Sequence, residues 1–230
     1  MGLSNNTTEQ LGTKLSIVGG RFTLRVAENT ALAEPRTLTK GKNEGKEVWE
    51  MRYLSLEDVV LVGGKIVESE YPGVDVMLRD NQTDEDVTIN LPLESRYLFD
   101  FIRHLPNLDE HSPFNVEMHE SKKKTKQGDT MYNLRLVQFG TILPDYYVNW
   151  SKDEDGKNVA TPLHGIPEPK HGIKGWDFRD VEEFLLERFR EFFDTFSPNG
   201  LTKKSLASVT EDKEDNLDMG NDEGLEPLPF

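Results

Sequence analysis

Cysteine is absent from this chain of 230 residues, and no run of apolar residues is long enough to cross a membrane as a helix. A disulfide framework, a zinc site with cysteine ligands and a cysteine nucleophile are therefore excluded. The first twelve residues, MGLSNNTTEQLG, also lack the basic stretch and the apolar core of a signal peptide. We therefore expect a soluble protein of the cytoplasm.

Motifs for catalysis are missing as well. None of the five histidines forms a metal-binding pair at helical spacing or lies beside a serine elbow motif. The glycine pairs at 19–20 and 63–64 lie within strand-like segments and not in a phosphate-binding loop before a helix. We expect no enzyme activity, no cofactor and no metal ion, with an accessory domain of an enzyme as an alternative.

The formal net charge of −15 argues at first against a nucleic-acid ligand. The charge is unevenly distributed, however, because residues 211–230 contain eight acidic residues and one lysine and carry −7. The preceding 210 residues retain −8. Any surface that binds phosphate must therefore be a local basic patch.

Alternation of apolar and polar residues predicts several short strands. In the segment 15–26, the apolar residues Phe22, Leu24 and Val26 alternate with polar ones, and the glycine pair before them indicates a bulge or a bend. Further strand-like segments occupy residues 48–55, 59–71, 74–78, 87–91, 114–119 and 131–139. The polar stretch 79–84 is typical of a hairpin turn.

Two segments have helical spacing instead. Residues 94–105 predict a short helix that Pro106 ends, and residues 177–196 predict a longer one with a stripe of phenylalanines. Together these patterns favour a mainly β protein, an OB-fold-like barrel with one inserted helix and a C-terminal amphipathic helix. A β-sandwich is the alternative fold.

The predicted domain organisation has three parts. Residues 1–13 form a flexible N-terminus, residues 14–198 form the OB-like domain with its helix at 177–196, and residues 199–230 form a disordered acidic tail. The phenylalanine stripe of the C-terminal helix packs on the barrel in the favoured interpretation. In the alternative it pairs with another subunit of a homo-oligomer.

Residue types that suit a single-stranded nucleic acid occur together in the strand segments. Such strands are held by aromatic rings that stack on bases and by cations that contact the backbone. The candidate stacking residues are Trp49, Tyr53 and Tyr132. The candidate phosphate contacts are Arg21, Arg25, Arg52, Lys122, Lys123, Lys124, Lys126 and Arg135, with the lysines in a basic hairpin loop at 120–129. The alternative for each ring is a place in the core, and for the lysines a solvated loop tip.

The chain ends in an acidic segment tipped by apolar residues, Asp222-Glu223-Gly224-Leu225-Glu226-Pro227-Leu228-Pro229-Phe230. This segment resembles the C-terminal tip of bacterial single-stranded-DNA-binding proteins. With the size of the body and the OB-like pattern, it makes the chain similar in architecture to the single-stranded-DNA-binding proteins of tailed bacteriophages.

The resemblance implies binding of single-stranded DNA in replication, recombination or repair, in the cytoplasm of a host cell. It also implies that Leu228, Pro229 and Phe230 dock on partner proteins. The same tail suits a protein-interaction adaptor or inhibitor that binds no DNA, and this alternative stays open.

Removal of residues 211–230 should raise the affinity for single-stranded DNA. A tethered segment of charge −7 is present at high effective concentration and competes with DNA for a basic groove. The gain should be largest at low salt, because exposed charges decouple beyond about 8 Å at physiological ionic strength. Titrations of both proteins across a salt series measure it.

The truncated protein should also lose affinity more steeply with salt, since its unmasked cations release more counterions on binding. Identical affinities at every salt concentration would contradict competition by the tail. Weaker binding after truncation would contradict a basic groove on the body.

Overall fold

The computed structural model describes residues 13–39, 43–69, 72–93, 95–124, 130–172 and 175–196. The prediction of a mainly β protein is confirmed, because strands make up most of the regular structure in these ranges. Ten strands form one sheet: β1 (Thr13–Val18), β2 (Arg21–Val26), β3 (Glu34–Thr37), β4 (Glu47–Tyr53), β5 (Ser55–Val67), β6 (Gly73–Asp80), β7 (Asp86–Pro92), β8 (Phe114–Lys124), β9 (Thr130–Gln138) and β10 (Thr141–Ile142).

Two short hairpins and two helices complete the described elements. The hairpins are β11 (Val148–Lys152) with β12 (Asn158–Pro162), and β13 (Lys170–Gly172) with β14 (Gly175–Asp177). The helices are α1 (Arg96–His104), which continues into a 3-10 turn at Leu105–Asn107, and α2 (Arg179–Thr195). Neither helix is long and apolar enough to span a membrane, so the described ranges contain no candidate for such a helix.

The strand order of the large sheet is β10-β9-β8-β5-β6-β7-β1-β2-β4-β3. Neighbours are antiparallel except β1 and β7, which are parallel. Only Leu54 separates β4 from β5 in the chain, so these two strands form one combined strand. Pairing that starts at β5 passes through β6, β7, β1 and β2 to β4, and so returns to the combined strand. The combined strand β4–β5 and four others therefore form a closed circuit of paired strands.

The combined strand β4–β5 has irregular pairing where it changes partners. The N–H of Met118 in β8 donates to the carbonyl of Leu54 over 2.8 Å, so hydrogen bonding to β8 reaches the junction. The register with β8 shifts between Leu56 and Val59, and the register with β6 shifts between Leu61 and Gly63. Such irregularities bend a strand and increase its twist, which suits a strand shared by two parts of the circuit.

One hydrophobic core joins the circuit to both helices. Its strand residues include Phe22, Val76 and Ile89, each with 0% of its surface exposed. Helix α1 adds Leu98 and Phe101, also fully buried. The hydroxyl of Ser95 caps this helix, because it accepts a hydrogen bond from the N–H of Leu98 over 3.3 Å.

Helix α2 enters the same core through Val181, Leu185 and Phe189, which are at most 1% exposed. The helix approaches β5 very closely at Gly64. A Cβ atom at this position would lie 2.6 Å from Cε2 of Phe193 and 2.7 Å from Cζ of Phe189. Gly64 therefore makes the room in which two phenylalanines of α2 meet the strand.

Gly64→Ala should lower the free energy of unfolding by about 1–3 kcal/mol, since an added methyl group overpacks this contact. Denaturation in urea measures the loss. In a Phe193→Ala background the penalty should shrink, because one of the two obstructing rings is gone. An equal loss in both backgrounds would contradict close packing of α2 on Gly64.

Candidate nucleic-acid interface

The pairing of β2 with β4 separates the predicted stacking residues from the predicted cations of these strands. Directly opposed residues lie on one face of a sheet. Phe22 opposes Tyr53 and Val26 opposes Trp49. The other face carries the pairs Thr23 with Arg52 and Arg25 with Glu50. Trp49 and Tyr53 thus face one side of the sheet, and Arg25 and Arg52 face the other.

Tyr53 packs against the hydrophobic core and is only partly exposed. Its hydroxyl lies 3.7 Å from the sulfur of Met51. Trp49 is also partly exposed, and it lies opposite Pro35 of β3 as well as Val26 of β2. Tyr53 therefore contributes to packing, and Trp49 lies on the same face of the sheet, between β2 and β3.

The opposite face holds a buried carboxylate between two arginines. Glu50 is 1% exposed, and Nε of Arg36 donates to its two carboxylate oxygens over 2.9 and 3.0 Å. Nη2 of Arg52 donates to the same carboxylate over 3.3 Å, and Nη1 lies 4.0 Å from Glu34. Arg52 is therefore engaged with two carboxylates, which lowers its value as a phosphate contact.

Arg21 and Tyr132, by contrast, meet at one end of the circuit. Val18 pairs with Arg21 across a two-residue turn, Gly19-Gly20, with φ angles of 54° and 71°. Two positive φ values in such a turn are typical of type I′, which suits the twist of the flanking strands. The interpretation of 15–26 as one strand with a bulge or a bend is therefore wrong, because the glycines close a hairpin between two paired strands.

The ring of Tyr132 in β9 lies against this turn. The guanidinium carbon of Arg21 is 4.7 Å from the centre of the ring, within the range of a cation–π contact. Nη1 of Arg21 also donates to the carbonyl of Gly20 over 3.1 Å. We call Gly20, Arg21 and Tyr132 the Tyr132 cluster.

Helix α1 makes polar contacts with β9 directly after Tyr132. Arg96 in its first turn donates a hydrogen bond to the side chain of Asn133, the residue after Tyr132. Asp100 accepts a hydrogen bond from the N–H of Leu134 over 3.1 Å. Burial raises the pKa of Asp100, although Arg96 and this hydrogen bond oppose the rise. The middle of β9, directly after Tyr132, is thus fixed to the helix by polar contacts on two successive residues.

The lysine-rich end of the β8–β9 hairpin lies next to Tyr132 along the sheet. Glu120 opposes Tyr132, and Lys124 opposes Thr130, two residues before Tyr132. Lys124 is exposed. Lys122 and Lys123 lie in β8 beside it, but their side chains, and Lys126 entirely, are outside the described part of the structure.

The remaining predicted residues do not join the cluster. Arg135 lies three positions after Tyr132, hence on the other face of β9, and it opposes Glu117 of β8. Leu228, Pro229 and Phe230 lie outside the described residues. Within the described ranges, no three His, Asp or Glu side chains are grouped so that they could hold a metal ion.

Two contributors were not among the predicted site residues, Gly20 and Arg96. A Gly-Gly pair between two alternating segments is itself a signal for a hairpin turn, so the sequence alone can predict the turn at Gly20. The sequence alone does not predict the role of Arg96, because that role depends on the packing of α1 against β9.

Comparisons with models of protein families, with curated proteins and with solved structures found no match.

Glu50→Gln should lower the free energy of unfolding by about 3 kcal/mol, because it removes the buried charge that neutralises Arg36 and Arg52. Arg52→Ala should cost less than about 1 kcal/mol, since its side chain is 36% exposed. Urea denaturation of both variants tests this ranking. Equal losses would indicate that Arg52 is as structural as the carboxylate it contacts.

Proposed function

We propose that this protein binds single-stranded DNA in replication, recombination or repair, without catalysing a reaction. The binding surface is centred on the Tyr132 cluster and on the adjoining lysine-rich end of the β8–β9 hairpin. We further propose that the closed circuit of strands is an OB-type barrel, with α1 inserted between β7 and β8. The acidic tail recruits partner proteins through Leu228, Pro229 and Phe230.

The observation that carries this proposal is the contact of Arg21 with the Tyr132 ring beside a run of lysines. An aromatic face and several cations are what a single strand needs, since each base has a π-face and each nucleotide a phosphate. Arg21 of β2 contacts the ring of Tyr132 in β9, and Lys124 of β8 opposes Thr130, two residues before Tyr132. Their convergence makes a local basic patch on an acidic body.

A single strand is favoured over a duplex because neither helix is suited to a DNA groove. Five of the nine residues of α1 are buried, including Phe99 and Ile102. The outer side of α2 is rich in carboxylates and would repel phosphate; its exposed acidic residues are Asp180, Glu183, Glu187, Glu191 and Asp194. A base can stack on the Tyr132 ring only after it leaves its own stack.

The proposed roles follow from these positions. Tyr132 stacks on a base, Arg21 and Lys124 contact phosphates, and Lys122, Lys123 and Lys126 extend the basic surface. Arg25 and Arg135 bind phosphate only if the strand continues beyond the cluster. Tyr53 and Arg52 contribute less than the residues of the cluster, because Tyr53 packs on the core and Arg52 is ion-paired. Trp49 lies on the face of Tyr53, opposite to that of Arg52.

A protein-interaction adaptor is the second candidate, and one observation favours it. Phe139 at the turn between β9 and β10 is 77% exposed, and its φ of 52° is unusual for a bulky residue. Ile142 nearby is 48% exposed. An apolar tip of this kind suits contact with a protein.

Lys124→Ala should weaken binding to a single-stranded oligonucleotide and reduce the slope of log affinity against log salt by about one. Lys152→Ala, an equal change of charge on the exposed strand β11, is the control and should leave both quantities unchanged. Fluorescence titrations across a salt series measure them.

The unmodified protein should also prefer the single strand to a duplex of the same length. Equal affinity for the two would contradict the proposal. So would a salt slope that Lys152→Ala lowers as much as Lys124→Ala, because phosphate contact would then not be localised at the cluster.

A further inference from the structure

The ring of Tyr132 occupies space that a side chain at position 20 would need. A Cβ atom on Gly20 would lie 2.1 Å from Cδ2 of Tyr132 and 2.2 Å from its Cγ. These distances are far below any real contact, so the ring would have to move if residue 20 carried even a methyl group. The ring of Tyr132 can therefore occupy this space only because residue 20 is glycine.

The neighbouring glycine provides a contrast. Gly19 also has a positive φ, 54° against 71° for Gly20, but a Cβ atom there would meet nothing within 4 Å. Both positions disfavour a side chain because of their backbone conformation. Only position 20 disfavours one because of Tyr132, so the two effects are separable.

Arg21 holds the ring from the next position in the turn. Its guanidinium carbon lies 4.7 Å from the ring centre, and one of its N–H groups is used on the carbonyl of Gly20. A planar guanidinium that stacks on a ring keeps its other donors directed outward at its edge. These donors suit a phosphate next to a base that the same ring engages.

We propose that Gly20 and Arg21 are positioning residues, which hold the Tyr132 ring ready to stack on an unpaired base and place the Arg21 guanidinium for the adjacent phosphate. This inference rests on the proposed function and adds to it a base-contacting subsite with its supporting turn. Tyr132 touches the base, Gly20 acts only through Tyr132, and Arg21 acts through the ring and on the phosphate.

Base-dependent binding separates positioning from general damage to the protein. The full-length chain and its Gly20→Ala and Gly19→Ala variants are titrated with an oligothymidylate and with an abasic strand of equal length. Gly20→Ala should weaken binding of the oligothymidylate roughly tenfold relative to Gly19→Ala, the scale of one lost base stack. Binding of the abasic strand, which has phosphates but no bases, should be the same for both variants.

Arg21→Lys tests the same idea without changing the turn, so it also covers the case in which Gly20→Ala does not fold. Lysine keeps the charge but loses the planar stacking group. We expect weaker binding of the oligothymidylate, with an unchanged salt slope and unchanged binding of the abasic strand. Arg21→Ala should lower the salt slope by about one in addition.

Two results would overturn the inference alone. One is that the wild-type protein binds oligothymidylate and that Gly20→Ala binds it as tightly as Gly19→Ala. The other is an Arg21→Lys variant that binds oligothymidylate like the wild type. Failure of the wild-type protein to bind either strand would instead overturn the proposed function itself.

Discussion

The run from Glu47 to Val67 belongs to two parts of the sheet at once, and the rest of the fold depends on this. Its first third pairs with β2 and β3, and its later part pairs with β8 and β6. A straight, regular strand would keep the same neighbours along its whole length. The irregular registers near Val59 and Gly63 allow the bend, and the bend brings β2 back to a strand that also pairs with β6.

Two strands of the circuit also carry buried carboxylates, Glu50 in β4 and Asp75 in β6. The buried carboxylates have local partners: Glu50 is paired with Arg36 and Arg52, and Asp75 is paired with Lys14 at 3.4 Å. Asp75 also accepts a hydrogen bond from the side-chain amide of Asn90 over 2.6 Å. A cation paired in this way contributes less to the field around the protein. In the proposed function, the lysine-rich end of β8–β9, where Lys124 is exposed, supplies a local field of positive sign that an anionic ligand detects at short range.

Much of the strand content follows from the sequence, because alternation is a local property. The pattern around Phe22, Leu24 and Val26 predicts β2, and those at 74–78 and 87–91 predict parts of β6 and β7. The candidate site was less accessible, since the face on which a side chain lies depends on register, and a slip of one residue reverses every face. Hence Trp49 and Arg52 are candidate contacts for the same ligand by residue type, although they point to opposite sides of β4.

The position of the Tyr132 ring is established when the protein folds, before a ligand binds. A ring that the turn holds in place has lost its rotational freedom on folding, so a base that stacks on it meets a smaller entropic cost of binding. The stability of the hairpin supplies that order, and it does so through a glycine whose backbone conformation other residues rarely adopt. In the proposed function, the net negative charge of the chain adds orientation, because it repels a polyanion while the lysine-rich end of β8–β9 attracts it. Position, order and charge thus support the same end of the fold as the proposed site for a single strand.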